Sequence, residues 1–382
     1  MNYKDFFDPI SVDLNTTAFQ NENAFCNKIN IHTASQPIDN LDDCQIAIVG
    51  VCEDRNSDNK GTALAPDKIR ESLYPLFWFK RKLKIVDLGN LKPCTSVSDS
   101  YFGLREVLIE LASKNIVTII LGGSQDLTLA MNMAALHLGL DIRLVSIDST
   151  IDYSKNKNLP VSRKFLYEIL NTDQPVDFVN IGHQTYYVDP LTTDHMIDNY
   201  YTLLRLGQVR FNMADAEPYF RNANLISFDL GAVKYADAPG TLPHSPNGFV
   251  GEEFCQLARY AGISSESLFV GFFECNPEID KSTVTESLAA QAIWYFIEGF
   301  IARDKEIPDD SDNFKRFLVH HPLVENNMIF FRSNKTSRWW MEIPLKGNMS
   351  RTLYIPCTYA DYQNACNEEI PDRWWHYYQR FN

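Results

Sequence analysis

The 382-residue sequence predicts an α/β fold on a mainly parallel sheet, and three observations carry that prediction. Short apolar runs recur along the chain, helix-like segments separate them, and the carboxyl ends of the runs are rich in Gly, Asp and Glu. The runs are "CQIAIVGV" (44–51), "LKIVDLG" (83–89), "IVTIILGG" (116–123), "IRLVSID" (142–148), "VDFVNIG" (176–182), "ANLISFDL" (223–230) and "SLFVGFFE" (267–274). They are too short for helices and show little polar alternation, as expected for strands buried on both faces. The helices are expected at 66–77, 99–114, 126–139, 161–171, 190–200, 212–220 and 251–262. The last opens on Glu252 and Glu253, which suit the positive end of a helix dipole.

The segment "LAAQAIWYFIEGFIAR" (288–303) contains Gln291 and Glu298, and no run of about 18 apolar residues occurs. It reads as a core helix, and no membrane insertion is expected. Polar "DKEIPDDSDNFKR" (304–316) reads as a linker. The expected organisation is an N-terminal arm (1–43), an α/β domain (44–305) and a β-rich, aromatic C-terminal extension (306–382).

Hydrophobic residues make up 45% and charged residues 22%, an ordinary globular mixture. The net charge of −14 argues against nonspecific nucleic-acid binding. The eight cysteines form no C-x-x-C, and the start "MNYKDFFDPISVDLN" lacks the basic-then-apolar pattern of a signal peptide. Reduced thiols and a cytoplasmic location are the expectation.

In parallel sheets, ligands gather at the carboxyl ends of strands. Here those ends hold Gly122-Gly123, Asp148, Gly182, Asp229 and Glu274. Three segments at these ends, "GGSQD" (122–126), "SIDSTID" (146–152) and "SFDLGAVKYADAPGT" (227–241), resemble the metal-binding segments of the ureohydrolases: arginase, agmatinase and formimidoylglutamase. The corresponding patterns are GGDH, DAHxD and SxDxDxxDPxxxPGT. "FFECNPEID" (272–280) and "VGVCEDRNSDNKGTALAPDKIR" (49–70) extend the resemblance over roughly residues 44–303, nearest the formimidoylglutamase branch. It implies a three-layer α/β/α arginase-like fold.

In those enzymes two Mn²⁺ ions convert a bridging water to hydroxide, which attacks a guanidinium or formimino carbon. Two histidines and four aspartates hold the ions. Carried over, the first histidine is Gln125, the second is Thr150, and one aspartate is Gly231. Asp148, Asp152 and Asp229 remain, and Glu274 stands at the position that grips a cationic substrate. The private ligands of one ion are gone. A single oxygen-ligated Mn²⁺, Mg²⁺ or Ca²⁺ on Gln125, Asp148, Asp152 and Asp229 is one expectation, and no cofactor is the other. Lys234, replacing a further aspartate, is a candidate to supply the missing positive charge.

Plainer roles stand beside these. Ser124, Gln125 and Asp126 suit helix capping, and the aspartates suit a hydrogen-bonded network. Glu274 and His183, the latter just past a strand end, are ligand-binding candidates that equally suit structural roles. His320-His321 reads as structural. Trp339, Trp340, Trp374 and Trp375 suit packing onto the domain, or a protein partner. A homo-oligomer is open. The function expected first is a catalytically inactive binding or scaffolding protein on a degenerate site. The alternatives are a metal-dependent hydrolase of a linear amidine C–N bond and a metal-dependent regulator.

Overall fold

All seven apolar runs form strands. The computed structural model describes residues 3–308, 312–324, 327–345 and 352–381. One ten-stranded sheet contains β1 (Phe7–Asp8), β2 (Asn30–Ile31), β3 (Ile46–Gly50), β4 (Ile85–Leu91), β5 (Val117–Leu121), β6 (Ile142–Ile147), β7 (Val176–His183), β8 (Thr202–Arg205), β9 (Leu225–Asp229) and β10 (Phe269–Phe273). The order is β1-β4-β3-β5-β10-β9-β6-β7-β8, with β2 also on β4. Every pairing is parallel except β1 with β4.

Side chains alternate between two apolar layers, as the strand period requires. Ile46, Ile48, Ile119 and Leu121 join one buried cluster, and Ala47, Val49 and Ile120 join the other. Helices Ala65–Leu73, Gly251–Ile263 and Val284–Ile301 contribute to the first, and Val97–Ser113 and Thr128–His137 to the second. The arm lines the outer edge of β4 through β1 and β2 and buries Phe19 and Phe25.

Two elements depart from expectation. β8 runs straight into a helix at Leu206–Phe211. Its four residues, with no glycine or proline at either end, carry too little periodicity to stand out. The 212–220 segment splits into a 3₁₀ turn (Met213–Ala216) and a short helix (Glu217–Arg221), with Pro218 at the helix start.

The extension is not purely β-rich. Antiparallel strands β11 (Phe314–Val319), β12 (Met328–Ser333), β13 (Trp339–Pro344) and β14 (Thr352–Cys357) are followed by helices Tyr359–Cys366 and Asp372–Phe381. The first helix starts on a capping box between Thr358 and Asp361, a sequence signal masked by the surrounding aromatics. Trp339, Trp340 and Trp374 are buried, so of the four tryptophans weighed as partner anchors only Trp375 is exposed.

The extension docks at the amino ends of the strands. Arg221, just before β9, donates to the carbonyls of Trp339 (2.7 Å) and Cys357 (3.2 Å). Asp177, at the start of β7, accepts from Tyr377 (3.1 Å) and Arg380. No helix among the described residues is long and apolar enough to cross a membrane.

A buried ion pair ties helix Ala65–Leu73 to β4. Arg70 is fully buried and donates to both oxygens of Asp87, at 2.8 and 2.7 Å, and to the carbonyl of Gly89 at 2.9 Å. Tyr74 donates its hydroxyl to the same carboxylate at 2.9 Å. Removing Asp87 leaves the buried Arg70 with only the Asp67 carboxylate, at 2.9 Å, to balance its charge. Asp87→Ala is therefore expected to cost about 3–5 kcal/mol in urea unfolding, and Arg70→Met/Asp87→Leu distinctly less.

Candidate functional site

The site forms where β5, β10, β9 and β6, four consecutive neighbours, reach their carboxyl ends. Register explains the convergence. Ser146 on β6 lies opposite Ser227 on β9, so two residues further on Asp148 and Asp229 emerge on the same face. Phe273 on β10 pairs with Asp229, which sets Glu274 at the next position.

β5 turns into its helix through Gly122 (φ +72°) and Gly123 (φ +76°). A Cβ at Gly122 would sit 2.7 Å from Pro66 Cδ, and one at Gly123 would sit 2.6 Å from the Glu53 carbonyl oxygen. Both glycines are therefore required by backbone angle and by close approach. Glu274 also adopts left-handed backbone (φ +65°), which is costly for a residue with a Cβ. Its N–H donates to the Gly123 carbonyl at 3.1 Å, which holds it there.

The turn after the glycines is buried. Gln125 donates its backbone N–H to Glu274 Oε1 (2.8 Å) and its side-chain amide to Ser146 and Ser227 Oγ, each at 3.2 Å. Asn59 donates to Glu274 Oε2 at 2.9 Å. Both oxygens of Glu274 thus hold a protein donor. Thr150 closes over Asp148, giving its N–H (2.8 Å) and hydroxyl (3.1 Å) to Oδ1, and the hydroxyl also lies 3.4 Å from Asp152 Oδ1. Asp229 Oδ1 accepts from the Gly231 N–H at 2.6 Å. Asp126 takes hydroxyl bonds from Ser124 and Tyr101, and its charge helps raise Glu274.

Two buried acceptors, Gln125 Oε1 and Asp148 Oδ2, have no protein partner. Burial pushes Asp148 up to about 6 and Glu274 up to about 7. It raises Asp152 and Asp229 further, reinforced in each by the charges of Asp148 and Glu274. Each carboxylate therefore disfavours ionisation of the others.

Of the expected site residues, Gln125, Asp148, Asp152, Asp229 and Glu274 come together. Lys234 does not supply the missing charge. The chain turns helically after it, with the N–H groups of Asp237 (3.0 Å) and Ala238 (3.1 Å) donating to its carbonyl. That turn places Asp237 Oδ1 3.4 Å from Lys234 Nζ. His183 ends β7 but forms no ion pair with the carboxylates. Burial and the nearby Arg205 push its imidazole down to about 4, so it is neutral at pH 7. Its Nδ1 is buried without a partner. His321, expected to be structural, is buried and accepts the Leu323 N–H at 3.2 Å.

Sequence reasoning missed Ser146, Ser227 and Asn59. The two serines were legible as S-x-D in both strands, since a period of two puts serine and aspartate on one face. Asn59 lies in an irregular loop and gave no such signal.

Gln125, Thr150 and Gly231 stand where the resemblance places further manganese ligands. The Gln125 amide N–H bonds two serines, Thr150 brings a hydroxyl already directed at Asp148, and Gly231 brings only a backbone N–H. A Cβ at Gly231 would lie 2.9 Å from Asp229 Oδ1 and 3.0 Å from the Leu242 carbonyl oxygen. Among the described residues no three His, Cys, Asp or Glu side chains stand as a metal-binding group.

A buried carboxylate pocket at the strand ends of this sheet defines a ureohydrolase-type scaffold. The arginase family profile matches residues 44–298, and the chain belongs to the arginase family. It is 24% identical to the formimidoylglutamase of Lysinibacillus sphaericus over 267 residues, 65% of this chain and 82% of that one. Identity to the Geobacillus kaustophilus formimidoylglutamase is also 24%, over 282 residues, 69% of this chain and 86% of the relative. Among solved structures, Bacillus subtilis formimidoylglutamase superposes with TM-score 0.67 at 16% identity, covering 77% of this chain and 97% of its own. Trypanosoma cruzi formiminoglutamase, solved with Mn²⁺, superposes with TM-score 0.64 at 20% identity, covering 69% and 96%.

Raised carboxylate pKa values fix a sign for pH dependence. The folded state holds a proton on Asp148 up to about pH 6, whereas the unfolded chain releases it near 3.8. The stability this group lends at low pH is therefore lost as pH rises from about 4 to about 6, and above that its ionisation is a full penalty. Asp148→Asn keeps the Thr150 bonds and removes the penalty. In metal-free buffer its stability relative to the unsubstituted chain is expected to rise by about 1–3 kcal/mol between pH 4 and pH 8. A pH-independent difference would place the Asp148 charge in balance with a cation.

Proposed function

We propose that this arginase-family chain is a non-hydrolytic binding or scaffolding protein, which keeps the strand-end pocket of its relatives without dinuclear chemistry. The observation that carries the reading is the fate of the three substituted ligand positions. The Gln125 amide N–H bonds two serines, Thr150 bonds the carboxylate it overhangs, and a Cβ at Gly231 would crowd Asp229 Oδ1 and the Leu242 carbonyl. Without a second ion there is no bridge to bind and acidify a water. Residues 153–168, just past the second segment, hold no histidine that could transfer a proton either.

A second reading has its own support. Gln125 Oε1 and Asp148 Oδ2 are buried acceptors without donors, and an all-oxygen donor set suits one Mg²⁺, Ca²⁺ or Mn²⁺. On that reading Asp148, Asp152, Asp229 and Gln125 hold one ion, and the chain hydrolyses a linear amidine by a weaker mononuclear route. The names of its relatives suggest formimidoylglutamate, agmatine and arginine as substrates to try.

Release of formamide from formimidoylglutamate, or of urea from agmatine or arginine, with each ion supplied in turn, separates the readings. The expected result is no turnover above Glu274→Gln under any condition. Turnover that depends on one of the ions and disappears in Asp148→Asn would establish the second reading. Restoring the ligands by Gln125→His, Thr150→His and Gly231→Asp is expected to leave the chain inactive and less stable than its parent, because the new carboxylate meets Asp229 and the Leu242 carbonyl. Thermal unfolding and the same assay check this.

A further inference from the structure

The chain carries 35 Lys and Arg against 49 Asp and Glu, yet one loop concentrates cations. Between helix Ala65–Leu73 and β4 the sequence reads "YPLFWFKRKLK" (74–84). Lys80, Arg81, Lys82 and Lys84 are all exposed. Lys84 pairs with Asp43 at 2.8 Å, whereas Lys80, Arg81 and Lys82 enter none of the described ion pairs. The arm segment bound to this loop adds Glu22 and Lys28, whose charges offset each other.

The loop is pinned from two sides. The Leu76 carbonyl accepts the Phe25 N–H at 2.7 Å, and the Trp78 N–H donates to the Asn23 carbonyl at 2.8 Å. From helix Val284–Ile301, Trp294 Nε1 donates to the Phe77 carbonyl at 2.8 Å. Beside the cations the same loop builds a row of rings. Trp78 and Phe79 lie 5.5 Å apart between centroids, Phe79 and Trp294 4.6 Å, and Trp294 and Tyr295 5.4 Å. Phe77 (64% exposed) and Tyr295 (40%) leave apolar surface in water here. Unpaired cations and apolar side chains held together on one fixed loop suit a ligand that is both anionic and apolar.

Charge selects the kind of ligand. At physiological ionic strength an exposed charge is felt over about 8 Å. A bilayer or a nucleic-acid strand covers a wide face and so meets the acidic remainder of a chain with net charge −14. A short peptide stays within reach of the loop alone. The rings also disfavour nucleobases, which stack on free ring faces. Phe79 and Trp294 are tilted by only 31°, so each covers a face of the other.

We propose that the 74–84 loop, with Trp294 and Tyr295, is a docking surface for an acidic peptide segment of a partner protein. Lys80, Arg81 and Lys82 take its carboxylates, Arg81 through the planar donor fork of its guanidinium. Phe77 and Tyr295 take an apolar side chain next to them. The surface uses no residue of the strand-end pocket, so it stands whether or not that pocket binds a metal or turns over a substrate.

Fluorescence anisotropy of a rhodamine-labelled peptide of alternating glutamate and leucine, about eight residues long so that it spans the loop when extended, tests this on the full chain. The peptide is expected to bind, and more weakly at about 300 mM salt than at about 50 mM, a readout that needs no variant. Lys80→Glu/Lys82→Glu is expected to raise the dissociation constant at least about tenfold, and Phe77→Ser at least about threefold. Lys305→Glu/Lys335→Glu changes net charge equally on the extension and is expected to bind as the parent does. Phosphatidylserine vesicles and oligothymidine are expected to bind more weakly than the peptide. Absence of peptide binding overturns the proposal. So does an equal loss in the two double variants, an affinity that Phe77→Ser leaves unchanged, or tighter binding of the vesicles or the oligonucleotide.

Discussion

Three buried carboxylates, Asp148, Asp229 and Glu274, with the part-buried Asp152 beside them, impose the condition the rest of the pocket has to meet. At an effective dielectric near 20, two unit charges about 4 Å apart repel by roughly 4 kcal/mol, and Asp148, Asp152, Asp229 and Glu274 all feel one another. A metal pair would neutralise such a group. The chain's own counterweights are the Gln125 and Gly231 N–H groups, the Thr150 N–H and hydroxyl, the Asn59 amide, and protons retained through raised pKa values. The glycine turn and the left-handed backbone of Glu274 serve this arrangement, because they bring the Gln125 N–H and the Glu274 carboxylate into contact.

Much of this was legible in the sequence. Seven short, mainly apolar runs separated by helix-like segments admit few architectures other than a parallel sheet between helical layers, and the Gly, Asp and Glu at their ends marked the site. The S-x-D spacing in two strands was sufficient to place Ser146, Asp148, Ser227 and Asp229 on one face. What the sequence hid was tertiary. Lys234 looked free to reach the pocket until the turn after it supplied Asp237. β8 is too short to announce itself, and its edge position depends on the whole strand order. The helices of the extension were obscured by aromatic residues whose intrinsic preference favours strands.

The extension and the pocket lie at opposite poles. Asp177, Arg221 and the carbonyls of Trp339 and Cys357 join the extension to the amino ends of the strands, whereas the carboxylates gather at the carboxyl ends. Among the described residues, the contacts that anchor the extension lie away from the pocket. Its last helix also reaches the start of β8, where His376 lies edge-on to Tyr200. Family membership establishes the scaffold and says less about chemistry, since identities of 16–24% leave every pocket residue to be judged on its own donors.

The central claim is that protein donors and protons, and not a manganese pair, balance the buried carboxylates. The most direct test is the manganese content of the full chain after equilibration with excess Mn²⁺ and removal of free ion, read by elemental analysis alongside calorimetric titration. The account predicts fewer than two ions retained per chain and no tight two-site isotherm. Two tightly held Mn²⁺ ions per chain would contradict it, since Gln125, Thr150 and Gly231 would then stand in a working dinuclear site.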